Sequence, residues 1–346
     1  MGSRAAVIIV NEDGSVEQFF DRSAAQTLAQ DAALSGFDAT LTRVRRMRRV
    51  NGESREWAGP LCEGSILIDI PARRLVWAEE GEGLILPRIM NRLLERTWHG
   101  WSAIWSPEGI DGITHLAGGD PEPIDRSISS ESAIPLANML WFAPCLEQVG
   151  YAVLSARLED GALVIWRSDA CHNDLAQLDP KEVIRFARTA HRESRRGDGW
   201  GIDWWLSESS SGFPEEGVHF DVPTRTLSWW SISEEDTSED AFRARWPDWT
   251  IRSVGDAHEW HQQQLSSAPM QQSWLVHVVK TQQHYERVIA QRYRDNPQFG
   301  SLGDETGIEH EWTVFDELDR LMDGPPLAPA CYVDRHGVFH EPAQIL

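Results

Sequence analysis

The sequence Asp-Ile-Pro-Ala-Arg-Arg-Leu-Val-Trp, residues 69–77, returns as Asp-Val-Pro-Thr-Arg-Thr-Leu-Ser-Trp at residues 221–229. Both nonapeptides have the pattern DxPxRxLxW, and apolar residues alternate with other residues on either side of the proline. Alternation with a period of two is typical of a β-strand, and proline favours a turn. Each nonapeptide therefore predicts a β-hairpin, and we expect Asp69 and Arg73 to pair across the first turn.

Three further pairs of short matches follow the same order along the chain. They are Ala6-Val7 with Glu12-Asp13-Gly14 against Ala152-Val153 with Glu159-Asp160-Gly161, Leu28–Gln30 against Leu175–Gln177, and Trp98-His99-Gly100-Trp101 against Trp246-Pro247-Asp248-Trp249. Self-similarity at a nearly constant offset is the mark of an internal repeat. The sequence thus predicts two tandem copies of one module.

One copy can be interpreted as an α+β unit. Its Asp-Gly dipeptide predicts a first hairpin, and a helix is expected next, at Ser23–Leu34 in the first copy and Pro180–Ala190 in the second. The fold class we expect is therefore α+β, with two tandem repeats of a mostly antiparallel sheet and with helices packed on one face, plus a C-terminal extension. The boundaries we predict are 1–147 and 148–264 for the repeats and 265–346 for the extension.

The C-terminal extension carries three local signals. Trp274–Val279 is a short apolar run, which predicts a strand. Trp312–Met322 has Val314, Leu318 and Leu321 spaced for one helical face. Residues 332–339 predict a hairpin around Arg335-His336-Gly337.

Composition narrows the classes of partner. The formal net charge is −22, and only two lysines are present, Lys181 and Lys280. A negative field of this size disfavours nucleic acid and anionic membrane, and it favours a basic protein partner.

No apolar stretch is long enough for a membrane span, so we expect a cytoplasmic protein with no membrane partner. The four cysteines form no CxxC pair, no phosphate-binding motif is present, and we expect no metal and no cofactor.

A basic run is the exception to this acidity. Five arginines lie within residues 43–49. Such a run can mark a nucleic-acid patch. We favour the other interpretation, in which these arginines pair with the acidic surface of the chain itself, because the net charge opposes nucleic acid.

The chain has 17 tryptophans, many of them at matching positions of the two copies, which indicates core packing. Trp200, Trp204 and Trp205 lie beside Arg195 and Arg196 and are the candidates for an exposed aromatic binding surface. Further candidates for binding are His219, Asp221, His258 and Glu259, since the second copy has His219 where the first has Leu67. His258-Glu259-Trp260-His261 does not have the HExxH spacing of a zinc site.

Three hypotheses for function remain open at this point. The leading hypothesis is a non-enzymatic, acidic protein-binding module, for example an immunity or antitoxin protein that engages a basic partner. The second is an enzyme with a site at the interface of the two repeats, built from Asp203, His219, Asp221, His258 and Glu259. The third is a scaffold subunit of a larger bacterial complex.

Overall fold

The chain forms two compact units of mixed α/β structure. Unit 1 comprises Met1–Ile124 with Trp274–Pro342, and unit 2 comprises Asp125–Ser273 with Ala343–Leu346. The computed structural model describes residues 4–25, 27–50, 62–79, 85–107, 109–119, 152–168, 175–176, 178–194, 215–232, 239–265, 270–295 and 310–341. Within these ranges, no helix is both long enough and apolar enough to cross a bilayer.

Thirteen strands and eight helices lie in the described ranges. The strands are β1 Ala5–Val10, β2 Val16–Asp21, β3 Arg48–Val50, β4 Gly64–Asp69, β5 Arg74–Glu79, β6 Ser102–Trp105, β7 Ala152–Arg157, β8 Leu163–Ser168, β9 Glu216–Asp221, β10 Thr226–Ser231, β11 Thr250–Ser253, β12 Tyr332–Val333 and β13 Phe339–His340. The helices are α1 Leu28–Arg46, α2 Pro87–Thr97, α3 Ile110–Leu116, α4 Pro180–Ser194, α5 Glu239–Arg245, α6 His258–Leu265, α7 Met270–Asp295 and α8 Glu311–Asp323.

The sheet of unit 1 has eight strands in the order β13-β12-β6-β5-β4-β1-β2-β3. The hairpin partners β1 and β2, and likewise β4 and β5, are antiparallel, whereas β1 with β4 and β5 with β6 are parallel. Among the described strands this sheet has four antiparallel and three parallel pairs, so it is mixed and the expected antiparallel pairing predominates only narrowly. The β5–β6 pair is parallel because α2 carries the chain from the end of β5 back to the edge of the sheet where β5 begins. β4 lies parallel to β1 because the β1–β2 hairpin has already returned the chain to the edge where β1 begins.

The sheet of unit 2 has five strands in the order β11-β10-β9-β7-β8. Its pairings alternate in the same way, with β7–β8 and β9–β10 antiparallel and β7–β9 and β10–β11 parallel. The strands β7 to β11 thus follow the order and the directions of β1, β2, β4, β5 and β6.

The DxPxRxLxW segments form the β4–β5 and β9–β10 hairpins, as predicted. The last loop residue has a positive φ in both, +47° at Arg73 and +52° at Arg225. The predicted partner of Asp69 was wrong, because Asp69 faces Arg74 in the strand register and accepts a hydrogen bond of 2.7 Å from its guanidinium. Its other oxygen accepts from the backbone N–H of Ala72 at 3.2 Å, which closes the turn.

Helices cover both faces of each sheet, and the expectation that they pack on one face is wrong. In β5, the indole of Trp77 donates to Asn91 of α2 at 2.7 Å. The neighbouring side chains Val76 and Ala78 point the other way and pack with Ile113 of α3. Successive residues of a strand face opposite sides, so α2 and α3 lie on opposite faces.

The helices depart from the sequence prediction at two places, the start of α1 and residues 274–279. The first helix begins at Leu28 rather than Ser23, with Thr27 as its N-cap, and it continues through a kink at Gly36 to Arg46. Residues 274–279 lie in α7, so the predicted strand there was wrong. The predicted helix at residues 312–322 and the terminal hairpin are confirmed, and the hairpin extends the sheet of unit 1 through the parallel pair β6–β12.

A buried carboxylate fixes α8 on unit 1. The Glu317 side chain is 2% exposed and lies 2.6 Å from Nε of Arg92 and 2.9 Å from Nε of Arg96, both on α2. Arg320 of its own helix approaches it at 3.3 Å. Val314, Leu318 and Leu321 are buried on the same side of α8. The orientation of α8 about its axis is therefore set by apolar packing and by an ion-pair cluster together.

We predict that Glu317→Gln lowers the free energy of unfolding by about 2 kcal/mol, because three guanidinium groups lose their shared counter-ion at a buried position. The matched control is Asp319→Asn on the exposed side of the same helix, which should change stability by less than about 0.5 kcal/mol. Urea denaturation followed by tryptophan fluorescence measures both changes. Equal effects of the two substitutions would contradict a structural role for Glu317.

Candidate functional site

The two sheets differ most on the face opposite their crossover helices. At corresponding places of the strand registers, unit 1 carries apolar residues and unit 2 carries polar ones: Ile8, Leu67 and Val76 against Ser155, His219 and Ser228. All six residues are buried. A buried polar group has to find a hydrogen-bond partner or destabilise the fold, so the contacts of the polar set are informative.

Ser155 lies between two histidines. Its Oγ is 2.7 Å from Nδ1 of His219 on β9 and 2.6 Å from Nε2 of His261 on α6. On the far side of the second ring, the indole N–H of Trp230 donates to Nδ1 of His261 at 3.0 Å. We call these four residues, Trp230, His261, Ser155 and His219, the Ser–His network.

The direction of each hydrogen bond follows from Trp230, because an indole can only donate. Nδ1 of His261 therefore accepts, which places its proton on Nε2. That Nε2–H donates to Ser155, and the serine hydroxyl in turn donates to Nδ1 of His219. The proton of His219 is then on Nε2, which is buried and has no hydrogen-bond partner among the residues that the structure describes.

Burial keeps both imidazoles of the network neutral. It lowers the pKa of His219 to about 4, an effect that Asp221 opposes and Arg157 reinforces. Burial also lowers the pKa of His261 well below its ordinary value, and the neighbouring His219 adds to this. Neutral rings are what the directed chain of hydrogen bonds requires, since a doubly protonated imidazole would have no acceptor left.

Gly217 makes room for this arrangement. A Cβ atom at this position would lie 2.3 Å from the indole nitrogen of Trp230 and 2.6 Å from Nδ1 of His261. Ser65 and Ala78 occupy the corresponding cross-strand pair in unit 1, where unit 2 has Gly217 and Trp230. Unit 2 therefore has a large ring over a glycine where unit 1 has two small side chains.

The structure brings together three of the residues that the sequence suggested for binding. His219 belongs to the network, and its ring lies 5.9 Å from that of Trp260. His258 and Glu259 are buried at the start of α6, 3.4 Å apart, and the His258 ring lies 5.8 Å from that of Trp230.

Asp221 is not part of the network. It ends β9, where it accepts the Thr224 N–H at 3.1 Å and faces Arg157 at 3.7 Å. The other proposed binding residues lie outside the described ranges: Arg195, Arg196, Trp200, Trp204 and Trp205. Asp203, proposed for the enzyme hypothesis, also lies outside them.

Sequence reasoning identified His219 but missed Ser155, Trp230 and His261, the other members of the Ser–His network. The serine inside the apolar run Ala152–Ala156 could have indicated a buried polar contact, because a polar residue at the centre of a buried strand needs a hydrogen-bond partner. The identity of that partner depends on how α6 crosses the sheet, which no local pattern encodes.

A second buried carboxylate appears in unit 1. Glu79 accepts the backbone N–H of Ala29 at 2.9 Å and the side chain of Gln30 at 2.6 Å. Burial raises the pKa of Glu79 to about 8, although both hydrogen bonds act in the opposite direction. His284 of α7 lies 2.6 Å from the amide oxygen of Gln30, so this group joins α1, β5 and α7. It is an internal polar contact of unit 1.

The Ser–His network has the residue types of a nucleophile and its base, but it is closed. Ser155 and His261 are fully buried, with 0% exposure, and the serine is engaged by an imidazole on each side. Across the described ranges, no group of three or more His, Cys, Asp or Glu side chains is placed to hold a metal ion. The chemistry that the geometry supports is a buried polar core whose four members are joined by hydrogen bonds.

The described tryptophans are buried or half-buried with a single exception. Trp98, Trp229, Trp246 and Trp274 lie in the interior, in agreement with the core-packing interpretation. Trp312 on α8 is 83% exposed, and it is the only exposed tryptophan in the part of the chain that the structure describes. An indole kept in water is a candidate contact for another molecule.

We predict that unit 2 loses stability as the pH falls from 6.5 towards 4. Because the folded state holds His219 neutral while the unfolded chain takes up a proton, the loss from this residue between pH 7 and pH 5 should be about 2 kcal/mol. Glu79 contributes in the opposite sense: its stabilisation is complete below the unfolded pKa and is lost as the pH rises through 8.

The measurement is the difference between the native protein and His219→Gln in urea unfolding at pH 7 and pH 5, since Glu79 cancels in that difference. His219→Gln should flatten the pH dependence, whatever its effect at pH 7. The control His99→Gln changes an exposed histidine and should leave the dependence as it is. An unchanged slope for His219→Gln would show that this ring titrates alike in the folded and unfolded chain.

The chain matches no protein-family model, no curated protein and no solved structure. No relative therefore assigns a role to the Ser–His network or to Trp312. A function has to be inferred from the charge, the burial and the surface of the two units.

Proposed function

We propose that this chain is a non-enzymatic protein-binding module whose partner is a basic protein, with an immunity or antitoxin protein as the concrete form. The observation that carries the proposal is the net charge of −22. An acidic surface of this strength attracts a basic partner over a distance of about one Debye length, roughly 8 Å at physiological salt, and speeds the encounter.

Many arginines are paired with carboxylates of their own unit, and each pair cancels one negative charge, so the net charge of −22 is the excess of carboxylates over all cationic side chains. Pairs of this kind are Arg43–Asp31, Arg49–Glu17, Arg74–Asp69, Arg188–Glu159 and Arg243–Glu239. Two of them involve the basic run at residues 43–49, which favours the interpretation that this run serves the chain's own acidic groups. The excess carboxylates remain available to a partner.

We also propose that the two units arose by duplication of one module. Support comes from the shared order of strand pairings and from details such as the Asp-Gly turns, with φ of +78° at Gly14 and +81° at Gly161. The tryptophan pairs agree as well: ring centroids are 5.2 Å apart for Trp98–Trp101 and 5.1 Å apart for Trp246–Trp249. Duplication would account for one sheet face that stayed apolar while the other became polar.

The enzyme hypothesis has one observation in its favour, the hydrogen bond of 2.7 Å between Ser155 and His219. Burial of the serine weighs against it, because a nucleophile has to reach its substrate. We expect a fluorophosphonate probe to leave Ser155 of the native chain unlabelled, as judged by mass spectrometry. Labelling that disappears in Ser155→Ala would favour a serine hydrolase and contradict the binding proposal.

The binding proposal predicts a basic partner and a salt-sensitive complex. The full chain, carrying an affinity tag, is used to capture proteins from a native lysate of its source, and the captured protein is purified for equilibrium titration. We expect an excess of Lys and Arg in the partner and a Kd that rises steeply with salt, because exposed charges are screened. A chain that stays monomeric and captures nothing, or a Kd that is indifferent to salt, would overturn the proposal.

A further inference from the structure

The exposed side of α8 combines an aromatic residue with a row of carboxylates. Its exposed positions include Trp312, Asp316, Asp319 and Asp323. At about 100° per residue these four lie within roughly 60° of one another around the helix axis, and they extend for about 16 Å along it. We call this row the α8 stripe.

The opposite side of α8 explains why the stripe faces outward. Val314, Leu318 and Leu321 are buried there, and Glu317 is held by Arg92 and Arg96 of α2. In addition, the indole of Trp274 on α7 donates to the backbone oxygen of Leu321 at 3.1 Å. The stripe is thus carried by a helix whose rotation is fixed on two sides, which lowers the entropy cost of binding.

The charges of the stripe are only partly used inside the protein. Asp316 pairs with Arg320 at 2.6 Å. Among the described residues no cation pairs with Asp319 or Asp323. Tyr293 of α7, itself 41% exposed, donates to Glu311 at 3.2 Å and adds a second ring at the end where Trp312 lies.

We infer that the α8 stripe is the docking surface for a basic protein segment, an inference that rests on the proposed function. A guanidinium or ammonium group of the partner would lie over the indole of Trp312, where a cation–π contact is strongest, and neighbouring basic side chains would pair with the aspartates. Tryptophan is among the residues that dominate interface energies, and a Trp exposed to 83% gains most from being covered. Charge complementarity selects this occupant over an acidic or apolar one.

The test uses fluorescein-labelled nona-arginine as the probe, full-length protein and fluorescence anisotropy at about 0.15 M salt. Trp312→Ala should weaken binding about fivefold, and the triple variant Asp316→Asn, Asp319→Asn, Asp323→Asn about tenfold or more. The matched control neutralises three exposed acids elsewhere, Glu12→Gln, Asp248→Asn and Glu286→Gln, and should change the Kd less than twofold. Because all these side chains are exposed, the melting temperatures should stay alike.

The outcomes separate the surface from the function. If the stripe and control triples weaken binding equally, only net charge matters and the α8 stripe is not the docking surface, although a basic partner remains in place. If the native protein does not bind the probe at all, the result contradicts the proposed function itself and not only the assignment of the docking surface. Sedimentation velocity adds a third outcome: a dimer that Trp312→Ala dissolves would assign the stripe to a second copy of the chain and overturn the inference.

Discussion

Both units depend on one constraint, that a central β-strand has two faces and has to bury them both. The crossover helices α1 and α2 cover one face of the sheet in unit 1, and α4 and α5 do so in unit 2. The short helices α3 and α6 then have to cover the second face. In unit 1 an apolar contact suffices, with Ile113 on Ile8 and Leu67. In unit 2 the same location is polar, and the Ser–His network joins the side chains placed there by hydrogen bonds.

The polar face of unit 2 accepts fewer substitutions than the apolar face of unit 1, and it specifies the arrangement of its side chains more strictly. An apolar face accepts several side chains of similar volume. The Ser–His network accepts one arrangement, since the donor-only indole of Trp230 sets the direction of each bond and both imidazoles have to be neutral. Loss of any member would leave a buried donor or acceptor unpaired, at about 1–3 kcal/mol. This face therefore fixes where α6 lies far more strictly than Ile113 fixes α3.

The sequence predicted local structure well where one residue type determines the backbone. Both Asp-Gly turns and both proline hairpins form, and Pro180 begins α4 with Asp179 accepting the Lys181 N–H at 2.8 Å. The prediction from sequence failed where the secondary structure depends on tertiary contacts. Residues 274–279 form an apolar run that fits either a strand or a helix, and only the spacing of Trp274, Val278, Tyr285 and Ile289 over a longer window indicates a helix.

The same limit applies to the candidate site. Comparing Leu67 with His219 indicated that the two units differ in the middle of the sheet, but periodicity does not reveal that His261 and Ser155 are neighbours of His219. The pairing of Asp69 was missed for a related reason. A left-handed φ at Arg73 turns that residue away and gives Arg74 the place opposite Asp69, and the identity of the residue that takes positive φ is not evident from DxPxRxLxW.

Charge and aromatic exposure have separate consequences for binding. Long-range attraction depends on the net charge, so it changes the rate of encounter and is spread over the whole surface. The lifetime of the complex depends on short-range contacts. In the described part of the chain, Trp312 is the one tryptophan whose indole is exposed to water and could form such a contact. Arg92 and Arg96 hold Glu317 inward and so keep Trp312 outward. The ion pairs around the buried Glu317 thereby keep an aromatic side chain exposed among the negative charges that would attract a basic partner.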